Sequence, residues 1–321
     1  MFRKLNIKTL GIVFIVLLSV TIFIKVIDNR KGVNTLKEVL FDVDDQLITS
    51  VIIKPKMLQG KQLELKKEDD RWMVLANGEI YNGDANVIEG LINQVNGLKP
   101  LRLAAQEKSS WGKFELTDSL STLVQLMGTK GELAKLYIGK FSYQQPKQNS
   151  MMQQNPYMQQ RGIMTTYVRS GNDKEIYAVE GFLASSANRD ENAFRDKTIL
   201  KTSKANINKI TFDYPADSSF TMVKNENIWM VDGVSLDSAS VDGYLTDISR
   251  LNGSSFSKDR STSFSHTIKI QLEQGNTIEV EAKLENEQAY ISSSQNIGSV
   301  FKESHDENFQ TLFVSKSKFV K

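Results

Sequence analysis

The chain contains one short pattern twice, and this internal repeat limits the possible folds more than any other feature. Trp72-Met73-Val74 recurs 157 residues later as Trp229-Met230-Val231. Two segments of alternating apolar and polar residues precede each tryptophan, and such alternation is typical of strands. The recurrence therefore predicts two copies of one structural unit rather than a single large domain.

An aspartate and a helical pattern follow each tryptophan segment. Asp84 precedes apolar residues at helical spacing in the first copy, and Asp237 does the same in the second copy. This spacing places the apolar side chains on one face of a three-turn helix, with the aspartate at the N-cap. We therefore expect an α+β fold class, in which each unit has mainly antiparallel strands and one packed helix.

The repeat also predicts the domain boundaries. The first α+β module covers residues 46–200, and the second covers residues 205–321. Residues 142–162 interrupt the first module, because they are rich in Gln, Asn and Met and almost free of charge. This composition is typical of a flexible loop that has no core of its own.

Two places in the first module are candidates for contact with a partner. An alternative interpretation of the Gln/Met-rich segment is a docking arm, because Met side chains adapt to varied apolar surfaces. Its candidate contacts are Met151, Met152, Tyr157 and Met158. Trp111 has no counterpart in the second module, and it either anchors a packed loop or contacts a ligand or partner.

The N-terminal part of the chain predicts a membrane anchor. Residues 9–24 contain no charged residue, and extending the segment to residue 27 adds only Lys25. A helix of this length measures about 24–28 Å, which suffices for a hydrocarbon core of about 30 Å if Lys25 reaches the interface. No small-x-small cleavage site follows the segment, so an uncleaved anchor is favoured over a signal peptide.

We therefore expect a cytoplasmic N-terminus at residues 1–8, a transmembrane helix at residues 9–27 and a stalk at residues 28–45. The anchor residues are Thr9, Leu10, Ile12, Phe14, Leu17, Leu18, Phe23 and Ile24. Three cations precede the segment, and this positive charge favours a cytoplasmic N-terminus. The prediction is a single-pass protein of the inner (cytoplasmic) membrane, with the bulk of the chain periplasmic or otherwise extracytoplasmic.

Composition excludes several classes of function. The chain has no cysteine, which rules out disulfides, thiolate metal sites and cysteine nucleophiles, and it has only two histidines. Its net charge of +2 becomes −2 when the four cations in and beside the N-terminal segment are left out, so it has no basic footprint for nucleic acid. Because no phosphate loop, nucleophile elbow or zinc helix motif occurs, we expect no bound nucleotide, cofactor or metal, and we assign no catalytic residue.

The first module resembles an uncharacterised bacterial family of membrane-anchored tandem-repeat proteins. The matching motifs are Trp72-Met73-Val74, residues 84–98, Gly112-Lys113-Phe114-Glu115-Leu116, Leu136-Tyr137-Ile138-Gly139, Tyr167-Val168-Arg169, Ile176-Tyr177-Ala178-Val179 and Phe194-Arg195-Asp196-Lys197. The resemblance covers most of residues 45–200 and is fainter in residues 205–321. One departure lies near position 114, where the family usually reads Phe-Gly-Leu followed by a proline.

Members of that family are typically encoded beside genes for ABC-2 type exporters and a gliding-motility-type auxiliary subunit. The resemblance thus implies a non-enzymatic, extracytoplasmic accessory subunit that binds the permease or the auxiliary subunit of an ABC-type exporter. It implies no catalytic residues. Two alternatives stay open, namely a carrier that holds a lipid or peptide in a groove between the two modules and a carboxylate-dependent hydrolase.

Overall fold

The computed structural model describes residues 14, 16–21, 36–144, 163–171, 173–259 and 263–320. Strands hold 43% of these residues and helices hold 21%, with single-turn 3-10 helices included. Every strand pair in the described part of the chain is antiparallel. The architecture is therefore that of an antiparallel β protein.

Nine strands form sheet 1. They are β1 (Ser50–Lys54), β2 (Leu63–Glu68), β3 (Arg71–Ala76), β4 (Glu79–Asn82), β5 (Pro100–Ala105), β6 (Thr122–Gly128), β7 (Gly131–Gln144), β8 (Ile163–Ser170) and β9 (Ile176–Glu180). Their order across the sheet is β4-β3-β2-β1-β6-β7-β8-β9-β5. Helix α1 (Ala85–Asn96) connects the two edge strands β4 and β5, so it crosses one face of the sheet.

Two short elements, a helix and a strand, lie between the two large sheets along the chain. Helix α2 (Ala184–Ala187) follows β9. Strand β10 (Thr198–Lys201) pairs with β15 (Arg250–Asn252) in a separate two-stranded sheet. Single-turn 3-10 helices cover Asp45–Leu47, Lys56–Leu58, Lys108–Ser110, Glu191–Ala193, Lys204–Asn206 and Lys316–Lys318.

Nine further strands form sheet 2. They are β11 (Ile207–Asp213), β12 (Phe220–Asn225), β13 (Ile228–Val231), β14 (Val234–Ser235), β16 (Ser255–Phe256), β17 (His266–Leu272), β18 (Thr277–Glu285), β19 (Gln288–Ser293) and β20 (Val300–Ser304). Their order is β14-β13-β12-β11-β17-β18-β19-β20-β16, which is the order of sheet 1. Helix α3 (Ser238–Ile248) follows β14, and helix α4 (Asn308–Leu312) follows β20.

The same local contacts start the long helix of each sheet. The Asp84 side chain accepts hydrogen bonds from the backbone N–H groups of the first turn of α1, and the Asp237 side chain accepts one at α3. The backbone N–H of Asp84 donates to the Phe194 carbonyl at 2.8 Å, and that of Asp237 donates to the Phe319 carbonyl at 2.9 Å. Each helix thus begins at an aspartate N-cap that a later segment of the chain holds in place.

The main core of each sheet lies beneath its long helix. Helix α1 buries Ile88, Leu91, Ile92 and Val95. Helix α3 buries Val241, Tyr244, Leu245 and Ile248. Sheet 1 has a further small core on its opposite face, where the loop of residues 106–121 covers Leu116, Leu123, Tyr137 and Ile176.

Arg195 joins the two large sheets. Its guanidinium lies 3.7 Å from the ring centroid of Tyr81 on β4 and 3.6 Å from that of Phe256 on β16. Its Nη2 donates to the Ser299 hydroxyl at 2.9 Å. Because β4 and β16 are edge strands, this stack brings an edge of sheet 1 against an edge of sheet 2.

The predicted α+β fold class is wrong, because the described part of the chain is mainly antiparallel β. Each sheet does have one long helix, of 12 residues in α1 and 11 residues in α3. The other helices described after residue 36 have five residues or fewer. One helix across a nine-stranded sheet leaves most backbone hydrogen bonds in the strand ladders, so the strands define the class.

The predicted transmembrane helix is not found in the described residues, which contain no helix long and apolar enough to cross a membrane. Residue 14 and residues 16–21 are helical, and six residues of helix span only about 9 Å. Of the predicted anchor residues, Phe14, Leu17 and Leu18 belong to this helical part and are exposed. The others, Thr9, Leu10, Ile12, Phe23 and Ile24, lie outside the described residues.

Candidate partner-binding surface

The hairpin of β7 and β8 extends beyond the strands on either side of it. β7 pairs with β6 only as far as Ile138, whereas its pairing with β8 continues to Gln144. On its other side, β8 pairs with β9 from Thr165 onward. The last pairs of the hairpin, which include Tyr143 with Met164, therefore project from sheet 1.

Large apolar side chains are exposed at this end of the hairpin. The exposed fraction is 51% for Tyr143, 54% for Ile163, 48% for Met164 and 45% for Phe182. The ring centroid of Phe182 lies 4.8 Å from that of Phe141. The backbone N–H of Gly181 donates to the Met164 carbonyl at 2.9 Å. We define the hairpin patch as Phe141, Tyr143, Ile163, Met164 and Phe182. Contiguous exposed apolar surface is typical of sites that contact another molecule, so the hairpin patch is the candidate contact.

The hairpin patch continues the face of sheet 1 that carries α1. Phe141 and Tyr143 lie two residues apart on β7, and Tyr143 is opposite Met164, so their side chains share one face. Val168 lies on the same face of β8 and is fully buried in the core beneath α1. The patch is thus an uncovered extension of the core face, and Ile163 adds an exposed apolar side chain on the opposite face.

Residues 142–144 of the predicted loop or docking arm form the end of β7, and its other residues lie outside the described residues. Residues 145–162 connect β7 to β8 and include Met151, Met152, Tyr157 and Met158. Contact between these four residues and a partner stays a prediction. Tyr143 and Ile163 of the hairpin patch lie beside this segment in the chain.

Trp111 packs against sheet 1 through its ring and its indole nitrogen. Its Nε1 donates to the Lys174 carbonyl at 3.1 Å. The Arg169 guanidinium lies 3.8 Å from the Trp111 ring centroid and 3.4 Å from the Tyr137 ring centroid, so it is stacked between two aromatic rings. This geometry is that of a loop anchor, and a further contact of Trp111 with a partner stays a prediction.

Arg169 holds the loop of residues 106–121 through its hydrogen bonds as well. Its side chain donates to the carbonyls of Leu116 and Gly171, and its Nη2 lies 3.4 Å from the Asp118 carboxylate. Arg169 is only 2% exposed. The Trp111–Arg169–Tyr137 stack therefore belongs to the packing of the protein, whereas the hairpin patch presents its side chains to solvent.

Sequence reasoning did not identify the hairpin patch. The signal was present, because Phe141 and Tyr143 lie at the start of the Gln/Met-rich segment and Ile163 and Met164 come just after it. Alternating apolar residues on both sides of a low-complexity segment predict a hairpin that continues outward. The exposure of these side chains depends on where β6 and β9 end, and that is a property of the folded sheet.

The titratable groups of sheet 2 that have shifted pKa values lie outside the hairpin patch. Burial raises the pKa of the Glu303 carboxyl to about 7, although Asn308 Nδ2 donates to its Oε2 at 2.7 Å. Glu303 is 3% exposed, which gives a substrate in solvent little access to its carboxyl group. Burial lowers the pKa of His266, which lines a cavity of about 680 Å³ together with Tyr214 and Phe313.

No group of three or more His, Asp or Glu side chains that could hold a metal ion occurs within the described ranges.

Comparison with known proteins gives one match. A family model described as a domain of unknown function (DUF4340) matches residues 160–267, which is less than half of the chain. The matched part runs from the start of β8, through the contact between the sheets, to the start of β17, and it includes Ile163, Met164 and Phe182 of the hairpin patch. No curated protein matches the chain, and no solved structure matches it. The chain is therefore similar, in this central part, to a family whose function is unknown.

Proposed function

We propose that the protein is an extracytoplasmic accessory subunit that binds an ABC-type exporter complex, and that the hairpin patch is its contact. One observation carries the proposal, namely the exposure of four large apolar side chains at the end of a hairpin that projects from a nine-stranded sheet. Monomeric soluble proteins seldom expose apolar groups together in this way unless those groups bind another molecule.

The geometry of the patch suits a binding function. The backbone of the hairpin is paired along both strands to Gln144 and Ile163, so the side chains of Tyr143 and Met164 are held at fixed positions before a partner arrives. Such preorganisation lowers the entropic cost of binding. Burial of one large apolar side chain contributes about 1.5–3 kcal/mol, so a few of them can form the centre of an interface.

The choice of an exporter as the partner rests on the sequence resemblance. That resemblance implies a permease or an auxiliary subunit as the binding partner, at the extracytoplasmic side of the cytoplasmic membrane. The function is binding, and any energy for transport would come from the exporter. A lipid or peptide carrier and a carboxylate-dependent hydrolase remain alternative predictions.

Co-purification of the tagged full-length protein from native membranes in mild detergent tests the proposal. We expect the wild type to retain the permease and the ATPase in stoichiometric amounts. The double variant Tyr143→Ser/Met164→Ser should retain at least about tenfold less, because two apolar contacts at the centre of an interface are removed. Both residues are about half exposed, so the double variant should fold as the wild type does.

Ile297→Ser is the matched control, since Ile297 is 80% exposed and lies in the turn before β20, outside the hairpin patch. It should retain the exporter subunits as the wild type does. Full retention by the double variant would show that the hairpin patch is not the contact. Recovery of the wild type without any exporter subunit would overturn the proposed function itself.

A further inference from the structure

A polar cavity lies where the two sheets meet. Its volume is about 350 Å³, and its walls come from the start of α1, from the chain just before β10, and from the paired strands β10 and β15. Three cations line it, Lys197, Lys201 and Arg250, together with two carboxylates, Asp84 and Asp196. The cavity is lined mainly by charged and polar residues, and so it differs from the apolar groove that a lipid would need.

Two of the cations are placed against each other by the strand pairing. Lys201 on β10 is directly opposite Arg250 on β15. Directly opposed side chains of an antiparallel pair lie on the same face, with Cβ atoms about 4.5–5.5 Å apart, and like charges in this arrangement destabilise the pair. In the part of the chain that the structure describes, Lys197, Lys201 and Arg250 form no ion pair.

The two carboxylates of the cavity bind backbone groups instead. Asp84 Oδ1 accepts hydrogen bonds from the backbone N–H groups of Asn86 at 2.9 Å and Val87 at 3.3 Å. Asp196 Oδ1 accepts one from the backbone N–H of Thr198 at 2.9 Å. Neither carboxylate forms an ion pair with the opposed cations among the described residues, so no direct ion pair offsets the repulsion between Lys201 and Arg250.

The backbone beneath the cations is held by sheet 2. The Gln295 side chain accepts a hydrogen bond from the Lys201 N–H at 2.8 Å and donates to the Lys201 carbonyl at 3.0 Å. The buried Asn296 donates to the Asp196 carbonyl at 2.7 Å. These contacts fix the backbone of β10, so Lys201 and Arg250 stay opposite each other in the strand pair.

We propose that this junction cavity, with Lys197, Lys201 and Arg250 as its cationic groups, binds a phosphate group. Phosphate presents several acceptor oxygens, so it can take paired hydrogen bonds from a guanidinium and single contacts from two ammonium groups. Its negative charge offsets the repulsion between the opposed cations. The cavity has room for free phosphate and for the phosphate of a larger molecule. The inference is independent of the hairpin patch and of the exporter.

The proposal predicts two effects of Lys201→Gln that have opposite signs. Without phosphate, the variant should have a higher unfolding temperature than the wild type, because the repulsion with Arg250 is removed. With phosphate, it should gain less stability than the wild type, because one cationic contact is lost. A residue with a purely structural role would shift the unfolding temperature equally in both conditions.

The test is thermal unfolding of the full-length protein, with inorganic phosphate titrated against chloride at matched ionic strength. The wild type should show a saturable rise in unfolding temperature. Lys201→Gln and Arg250→Gln should each bind phosphate about tenfold more weakly, which corresponds to the loss of one charge-assisted hydrogen bond. Lys54→Gln, at an exposed lysine at the end of β1 that does not line the cavity, is the matched control and should behave as the wild type does.

Equilibrium dialysis of the wild type with radiolabelled phosphate gives a second measurement that needs no variant, and one phosphate per chain is expected. Tighter binding of glycerol 3-phosphate would place the group on a larger molecule, whereas equal or weaker binding would favour free phosphate. The absence of saturable phosphate binding, equal binding by Lys201→Gln, or binding only to phosphatidylglycerol vesicles would overturn the proposal.

Discussion

The two sheets have the same strand order but differ in what covers them. Sheet 1 is covered on both faces near its centre, by α1 on one side and by the loop of residues 106–121 on the other, and three consecutive residues of β6, Thr122 to Val124, are buried. In the equivalent strand of sheet 2, β17, buried Ile268 and Ile270 alternate with exposed residues. One strand topology therefore supports two different layer arrangements, and the additional layer lies in the sheet that carries the hairpin patch.

The cores beneath the long helices also differ. Leu91 of α1 and Tyr244 of α3 each lie seven residues after the aspartate N-cap of their helix. The Tyr244 hydroxyl donates to the Leu312 carbonyl at 2.9 Å. Aromatic rings surround Tyr244, and Phe212 stacks on Phe220 with ring centroids 4.3 Å apart. The core of sheet 1 beneath α1 is mostly aliphatic and includes the isolated aromatic residues Trp72 and Phe194, while the core of sheet 2 contains stacked rings and the buried hydrogen bond of Tyr244.

The largest expected effect is on stability and comes from removing the Arg169 side chain, which holds the loop of residues 106–121 against sheet 1. Arg169→Ala leaves the carbonyls of Leu116 and Gly171 without a donor and removes the stack with Trp111. We expect a loss of roughly 3 kcal/mol in the free energy of unfolding, from unsatisfied buried carbonyls and the lost cation–π contacts. Urea unfolding followed by tryptophan fluorescence measures it.

Arg102→Ala is the control for this variant. Arg102 lies on the same sheet, is exposed, and places its guanidinium 5.8 Å from the Tyr167 ring. It should cost less than about 1 kcal/mol, as exposed cation–π contacts do. Equal effects of the two substitutions would show that the loop of residues 106–121 is not held through Arg169, and the contrast between the sheets would lose its basis.

A smaller effect is expected in the core of sheet 2. Tyr244→Phe keeps the ring but leaves the buried Leu312 carbonyl without its donor, which should cost about 1–2 kcal/mol. Thermal unfolding of the full chain measures the difference. Tyr290→Phe is the matched control, because no hydrogen bond of its hydroxyl to another described residue is seen, and it should have almost no effect. A neutral Tyr244→Phe would mean that ring packing alone joins α3 to α4.

The last expected effect concerns how stability depends on pH. The pKa of Glu303 is about 7 in the folded protein, above its ordinary value of 4.5, so the folded state binds more protons than the unfolded state between these values. The free energy of unfolding should therefore fall as the pH rises from about 4.5 to about 7. Glu303→Gln should remove this fall, which chemical denaturation across the pH series would detect.

Sheet 1 supplies the control for the pH experiment. The strand in the equivalent place, β9, has no carboxyl group among its buried residues, Ile176–Val179, and its carboxylate Glu180 is exposed. Glu180→Gln should leave the pH profile of the wild type unchanged. A profile that stays the same in Glu303→Gln would show that the pH dependence comes from other groups.

Part of this structure could be predicted from local patterns. The aspartates at positions 84 and 237 do cap helices, and the alternating segments before each tryptophan are strands, because caps and alternation depend on neighbours in the chain. The two tryptophans occupy equivalent positions of the repeat, yet Trp72 is 4% exposed, whereas Trp229 is only partly buried and lines a cavity of about 400 Å³. Equivalent sequence positions have different surroundings in the two folded sheets.

The sequence by itself determined the local elements of this protein, namely where strands alternate, where helices begin and which residues are apolar. Only the tertiary structure decided that nine strands join in each sheet, which makes the class mainly β, and that the edge strands β5 and β16 pair with β9 and β20, which lie far from them along the chain. It also decided that Lys201 faces Arg250 and that the hairpin patch projects from sheet 1. The reason is physical, since strand pairing, exposure and charge repulsion depend on contacts between residues that are distant in the chain.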